Sequence, residues 1–136
     1  MSKLLQRLRD AKRSGVYRAS RASAILDAVA GSSFDVVTID AAGRKPLEKI
    51  AHALAFPQWF GGNWDALEDC LGDLSWRPGA GHVLVFESFP RGDELGVLID
   101  VLLSSAQFWA ERARPFFAVF IDPGRELKLP DLFRNA

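Results

Sequence analysis

This 136-residue sequence has only one cysteine, no long apolar run and, over one stretch, no basic side chain. A lone cysteine, Cys70, cannot form an intramolecular disulfide, which argues against a small secreted scaffold and favours a reducing compartment. Charges interrupt every apolar stretch well before the roughly 18–20 residues of a membrane span, and the N-terminus lacks the apolar core of a secretion signal. We therefore expect a soluble, cytoplasmic protein with no membrane partner.

Charge is balanced overall but unevenly distributed along the chain. The formal net charge is zero, so the whole molecule does not have the charge of a nucleic-acid-binding protein. Residues 1–25 nevertheless carry seven bases and one acid, whereas the stretch from Ile50 to Trp76 carries four acids and no Lys or Arg. We expect a dipolar molecule with one acidic surface.

Strand-like and helix-like segments alternate, which predicts an α/β fold with a small, mostly parallel sheet packed by helices. Three core strands are predicted at residues 34–40, 83–87 and 116–121, and residues 16–20 are a candidate fourth, N-terminal edge strand. Helices are predicted at 2–15, 21–31, 46–56, 64–74 and 92–114, with Asp93 as the cap of the last and Arg112 and Arg114 favourable at its end. The tail, 123–136, is turn-rich and expected to be loosely attached. The 49% hydrophobic content suffices for one compact core.

The acids lie on one predicted helix, in the stretch "GGNWDALEDCLGD". Asn63 is a strong N-cap residue, so the helix should begin directly after it. At about 100° per residue, one sector of this helix is apolar and a separate sector is acidic. The apolar sector contains Trp64, Leu67, Cys70, Leu71 and Leu74, and the acidic sector contains Asp65, Glu68, Asp69 and Asp73.

This acidic sector has a structural and a functional interpretation. The helix dipole stabilises Asp65 and Glu68 near the first turn, and charged helix faces are commonly just solvated. Asp69 and Asp73 gain no such help, and like charges four residues apart cost a few tenths of a kcal/mol per pair. Aromatic residues beside the helix, Trp59, Phe60 and Trp76, favour a binding surface, because aromatic anchors beside charge are typical of interfaces.

Catalytic patterns are absent from the sequence. Cys70 is on the apolar side of its helix, where an inert buried thiol is expected. His52 and His82 are isolated and lack the spacing of metal ligands, and "GGNWD" lacks the strand and lysine of a phosphate-binding loop. We therefore expect a protein that is not an enzyme and holds neither a metal nor a cofactor.

The motif "FPQWFGGNWDALEDCLGD…W" closely resembles the signature of the barstar family, intracellular inhibitors of the ribonuclease barnase. The proline, the aromatic pair, the glycine, the asparagine and the "DAL-x-D-C-L" pattern all fall at matching offsets. The resemblance extends in outline from Phe34 to Ile121. It implies a barstar-like domain at 34–122, after an N-terminal helical extension at 1–33 and before a tail at 123–136.

The resemblance also implies a partner and a mode of binding. In this family the acidic helix and the loop before it enter the ribonuclease active site, and the carboxylate matching Asp69 replaces a substrate phosphate. Asp65 and Asn63 would flank it, while Trp59 and Trp76 would be aromatic contacts. The implied partner is a basic ribonuclease of the extracellular or toxin type, for which this chain would be an immunity protein, monomeric when free.

A second interpretation starts from the basic N-terminal segment. Clustered bases attract phosphate, so a nucleic-acid-binding or regulatory protein on a barstar-like scaffold is the alternative. The same pattern also fits a positive amphipathic helix that simply covers the sheet, and this interpretation is favoured over nucleic-acid binding. Nucleic acid is thus the less expected partner.

Overall fold

A computed structural model describes residues 2–134 and contains one sheet of four parallel strands. The strands are β1 (Gly15–Ala19), β2 (Asp35–Asp40), β3 (His82–Ser88) and β4 (Phe116–Ile121), in the order β1-β4-β3-β2. The predicted α/β class with three parallel core strands is confirmed. The candidate N-terminal strand also forms, since β1 pairs with β4 from Gly15 opposite Phe117 to Ala19 opposite Ile121.

In this described part of the chain, five α-helices cover the sheet: α1 (Lys3–Leu8), α2 (Ala22–Val29), α3 (Pro46–Ala53), α4 (Trp64–Leu71) and α5 (Asp93–Ala110). The first is shorter than predicted, because Asp10 accepts a hydrogen bond from the backbone of Lys12 (3.1 Å) and starts a separate 3₁₀ turn. None of the described helices is long and apolar enough to cross a membrane.

The sheet is covered on both faces, which explains the nearly continuous apolar sequence of β3 and β4. One face, with Leu84, Phe86, Ala118 and Phe120, packs against α3, α4 and α5. The other face, with Val83, Val85, Phe117 and Val119, packs against α1 and α2. Strand residues alternate between two cores, and each core has its own helices.

The longest helix, α5, differs from the prediction at both ends. Gly92 is the N-cap, with a left-handed φ of 66°, and Asp93 is the first helical residue instead of the cap. At the other end the interaction expected of Arg112 is present, since Arg112 donates to the carbonyl of Phe108 (2.8 Å), whereas Arg114 donates to the carbonyl of Gly79. The helix ends at Ala110, earlier than the predicted residue 114, and Ala113 with a left-handed φ of 57° turns the chain before Pro115 is reached.

The expectation of a loosely attached tail is wrong for residues 130–132. The backbone N–H of Arg18 donates to Pro130, and that of Leu132 donates to Arg18, both at 2.9 Å. Leu132 is fully buried, and the Arg18 guanidinium contacts Asp131 and the backbone carbonyl of Asp122. Periodicity did not reveal this attachment because one leucine, one ion pair and a few hydrogen bonds create it. The last two residues of the predicted tail lie outside the described part of the chain.

Candidate partner-binding surface

Helix α4 begins where the sequence predicted. The side-chain oxygen of Asn63 accepts a hydrogen bond from the backbone N–H of Ala66 (2.7 Å), which caps the helix. Gly62 precedes this cap with φ of 74°, a conformation that glycine adopts without strain. Asn63 itself is exposed, so it both starts the helix and remains at the surface.

The buried face of α4 fixes the helix to the sheet. Leu67, Cys70 and Leu71 are completely inaccessible to solvent. Burial, followed by the nearby charges of Asp69 and Asp73, raises the pKa of the Cys70 thiol to about 11. The thiol is therefore protonated at neutral pH, as expected for a packing residue.

The opposite side of this segment carries the acidic surface, defined as Asp65, Glu68, Asp69 and Asp73. All four side chains are exposed, and within residues 2–134 none forms an ion pair with Lys, Arg or His at 4.0 Å or less. The carboxylates are therefore accessible to a partner, and no base of the described chain neutralises them.

The structure shortens the acidic helix relative to the prediction. Gly72 is the C-cap, and Asp73 lies in the turn beyond it, with its N–H donating to Cys70 (3.1 Å). Leu74, predicted as helical, has a left-handed φ of 51° and turns the chain away. Asp65, Glu68 and Asp69 thus share one helix, and Asp73 extends the acidic surface from the following turn.

Helix α5 supplies a second wall that the sequence did not reveal. Glu68, Asp69 and Gly72 line a cleft of about 350 Å³ with Ser104, Ser105 and Phe108. The indole N–H of Trp109 donates to the carbonyl of Leu71 (2.7 Å), which attaches α5 to the end of α4. These α5 residues have ordinary helical spacing, so no pattern indicated their position beside the acids.

Aromatic residues from both sides of α4 meet in one cluster. The ring of Trp59 is edge-to-face with that of Trp76 at a centroid distance of 6.2 Å, and Phe56 contacts Trp76 at 5.9 Å. Trp76 donates its indole N–H to the carbonyl of Leu54 (3.0 Å). Trp59 is 56% exposed, the most accessible of the large apolar side chains that the structure describes. The two tryptophans singled out by the sequence are therefore neighbours.

A polar network beneath this cluster was not predicted. Asp35 accepts two hydrogen bonds from Arg77 and one from Nδ1 of His82, each 2.9 Å long. Burial lowers the pKa of His82 against the opposing influence of Asp35, and the charges of Arg114 and Arg77 lower it further. The neutral imidazole is therefore the donor to Asp35 at neutral pH, and its buried Nε2 has no partner in the described chain.

Within residues 2–134, no group of three or more His, Cys, Asp and Glu side chains is placed to hold a metal ion. His52 is exposed on α3, and His82 is a buried packing residue. Chemically, the acidic surface and the exposed Trp59 are suited to binding a positively charged surface.

Comparison with known protein families gives one assignment. The family described as Barstar (barnase inhibitor) matches residues 34–121, which is more than half of the chain and includes β2 to β4 with α3, α4 and α5. No curated protein and no solved structure matches the chain at a significant level. The matched segment contains the acidic helix together with Trp59 and Trp76. The chain therefore belongs to the Barstar family.

Proposed function

We propose that this chain inhibits a basic ribonuclease by covering the active-site cleft of that enzyme with its acidic surface. The contact residues would be Trp59, Asn63, Asp65, Glu68, Asp69, Asp73 and Trp76. The observation that carries the proposal is the set of four exposed carboxylates without a basic partner in the described chain of a Barstar-family protein. The proposed mechanism is occlusion without chemistry.

Electrostatics supports this choice of partner. A cleft that binds RNA must present positive charge to phosphate, and the absence of Lys and Arg from Ile50 to Trp76 removes repulsion against such a cleft. In the sequence, Asp69 lies between the first and last residues of the acidic surface, Asp65 and Asp73. Asp69 also lines the cleft between α4 and α5. In the complex, its carboxylate would occupy the position of a substrate phosphate, flanked by Asp65 and Asn63.

Rigidity and aromatic contact support it further. Asp65, Glu68 and Asp69 are on a capped helix that buried residues attach to the core, so little backbone entropy is lost when a partner binds them. The ring of Trp59 is exposed and makes an edge-to-face contact with Trp76. Exposed tryptophans are frequent anchors in protein interfaces. A standard interface of about 800 Å² per partner would accommodate this surface.

The partner type sets the biological role. If the ribonuclease is a toxin made by the same cell, this chain is its immunity protein, and it would act in the cytoplasm, where RNA must be protected. The free protein would be a monomer that forms a one-to-one complex.

The test is an inhibition titration against barnase and a panel of other basic ribonucleases. We expect stoichiometric loss of RNA cleavage with at least one enzyme, complete loss of inhibition for Asp69→Ala and weaker inhibition for Asp65→Ala. Asp100→Ala, which removes an exposed acid of α5, is the matched control and should inhibit normally.

Capture from an extract of the native cell adds the physiological partner. Ribonuclease activity should be retained on immobilised wild-type protein and not on Asp69→Ala. Equal retention on both proteins, or inhibition unaffected by Asp69→Ala, would refute the proposed binding mode.

A further inference from the structure

A second charged region lies on the other side of the sheet, where α1 approaches the C-terminal tail. A cleft of about 470 Å³ is lined there by Lys3, Arg7, Asp131, Phe133 and Arg134, which we name the basic cleft. Helix α1 packs on the sheet face opposite α4. The basic cleft and the acidic surface therefore belong to different faces of the molecule.

The acids at this cleft are already paired. Asp131 contacts the guanidinium of Arg18 and that of Arg125 (3.3 Å). Asp10, beside the cleft, pairs with Arg13 at 3.4 Å. The positive charge of the basic cleft is thus not cancelled by the acids that border it.

Three cations remain without such compensation. Lys3, Arg7 and Arg134 have no carboxylate within 4.0 Å among residues 2–134. Among residues 2–134, the buried Nε–H group of Arg7 has no hydrogen-bond acceptor, so this donor is not used within the described chain. Cations held around a concave site without acceptors are suited to a ligand that brings several oxygens.

The apolar residues of α1 argue against a membrane surface as that ligand. A helix that lies on a bilayer inserts its apolar face between the lipids. In α1, Leu4 is 7% exposed and Leu8 is fully buried, so this face is already used in the core. Helix α1 covers the sheet, as expected from the sequence, and it also presents cations outward.

We propose that the basic cleft binds single-stranded nucleic acid. Lys3, Arg7 and Arg134 contact successive phosphates, and the half-buried ring of Phe133 stacks on a base. Sites for single strands combine a positive groove with an aromatic ring, which is the combination present here. This site is separate from the proposed inhibitory surface and does not depend on it.

The test is fluorescence anisotropy of a labelled oligouridine of about ten nucleotides, titrated with the full chain. With three phosphate contacts, affinity should fall roughly 20-fold as salt rises from about 50 to about 200 mM. The triple variant Lys3→Gln, Arg7→Gln, Arg134→Gln should bind at least tenfold more weakly than wild type. The matched control, Arg44→Gln, Lys45→Gln, Lys128→Gln, removes the same charge from exposed positions elsewhere and should lose less than threefold.

Two further variants test the stacking by Phe133 and separate this proposal from the inhibitory one. Phe133→Leu keeps an apolar side chain without a stacking ring and should weaken RNA binding about fivefold or more. Asp69→Ala should keep RNA binding while losing ribonuclease inhibition, and the triple cleft variant should keep inhibition. Equal losses of oligonucleotide affinity in the triple variant of the basic cleft and in the control triple variant would overturn the proposal. Binding of the wild type to phosphatidylserine vesicles with no binding to the oligonucleotide would also overturn it.

Discussion

The guanidinium of Arg77 holds the carboxylate of Asp35 through two parallel hydrogen bonds, Nε to Oδ2 and Nη2 to Oδ1, each 2.9 Å long. Arg77 directly follows Trp76, and both residues donate to the carbonyl of Leu54. The pair therefore connects the start of β2 to the aromatic cluster beside the acidic surface. Its geometry is the bidentate one in which arginine binds carboxylates most strongly.

Removal of Asp35 should destabilise the protein more than removal of a surface acid. Asp35→Ala leaves the mostly buried Arg77 and His82 without their acceptor, and breaking such a pair costs about 3 kcal/mol. Urea unfolding measures this free energy. Asp27→Ala, on the exposed side of α2, is the control and should change it by less than about 0.5 kcal/mol. Similar losses in both variants would show that the network adds little stability.

His82 should make the folded state sensitive to mild acid. Its pKa is lowered in the folded protein, so the unfolded chain binds a proton near the ordinary pKa of about 6.5 while the folded chain resists it. This contribution is fully present above about pH 6.5 and decreases as the pH falls below it. Asn can replace the Nδ1–H donor without titrating.

We therefore expect the free energy of unfolding of His82→Asn to fall less between pH 7 and 5 than that of wild type. Urea titrations at each pH measure the difference. Parallel pH profiles for the two proteins would contradict this role of His82.

Neutralising Asp69 should increase the free energy of unfolding and abolish ribonuclease inhibition. Asp65 and Asp69 are like charges four residues apart on α4, and Asp69→Asn removes their repulsion without changing the shape of the side chain. We expect a gain of a few tenths of a kcal/mol in the free energy of unfolding together with loss of ribonuclease inhibition. Thermal unfolding and the inhibition titration measure the two effects on the same sample. A loss of stability would mean that Asp69 has a structural role.

Cys70 should weaken the folded state at high pH. The thiol pKa is raised to about 11 in the folded protein, above its value near 9 in the unfolded chain. The folded state therefore binds more protons between these values, and its stability decreases as the pH rises above about 9. Cys70→Ala removes this dependence at the cost of a smaller packed side chain. Denaturant unfolding at pH 8 and 10 should show a smaller decrease for Cys70→Ala than for wild type, and an equal decrease would contradict the assignment.

Local signals in the sequence predicted the elements that position the candidate site. Asn63 caps α4 as its residue type indicates, and the apolar spacing of Leu67, Cys70 and Leu71 identified the buried face. Both features depend on residues within two turns of each other. The assignment of the acidic surface to a ribonuclease partner stays a prediction, because it depends on a protein that is absent from the structure.

Sequence patterns did not predict the long-range contacts of the structure. Asp35 is 42 residues from Arg77 and 47 from His82, and no periodicity relates them. The second wall of the cleft beside the acidic surface, to which Ser104 and Phe108 contribute, likewise depends on how α5 packs against α4. Spacing along one chain encodes which face of a helix is buried, but not which distant helix covers it.

The attachment of Pro130 and Leu132 to Arg18 has a consequence for self-association. These residues satisfy backbone groups on the outer side of β1 that an open sheet edge would offer to a neighbouring molecule. The tail therefore protects the protein against strand addition along this border. A form truncated before Pro130 would lose that protection, and its tendency to polymerise would then depend on how well β1 alone resists pairing with other chains.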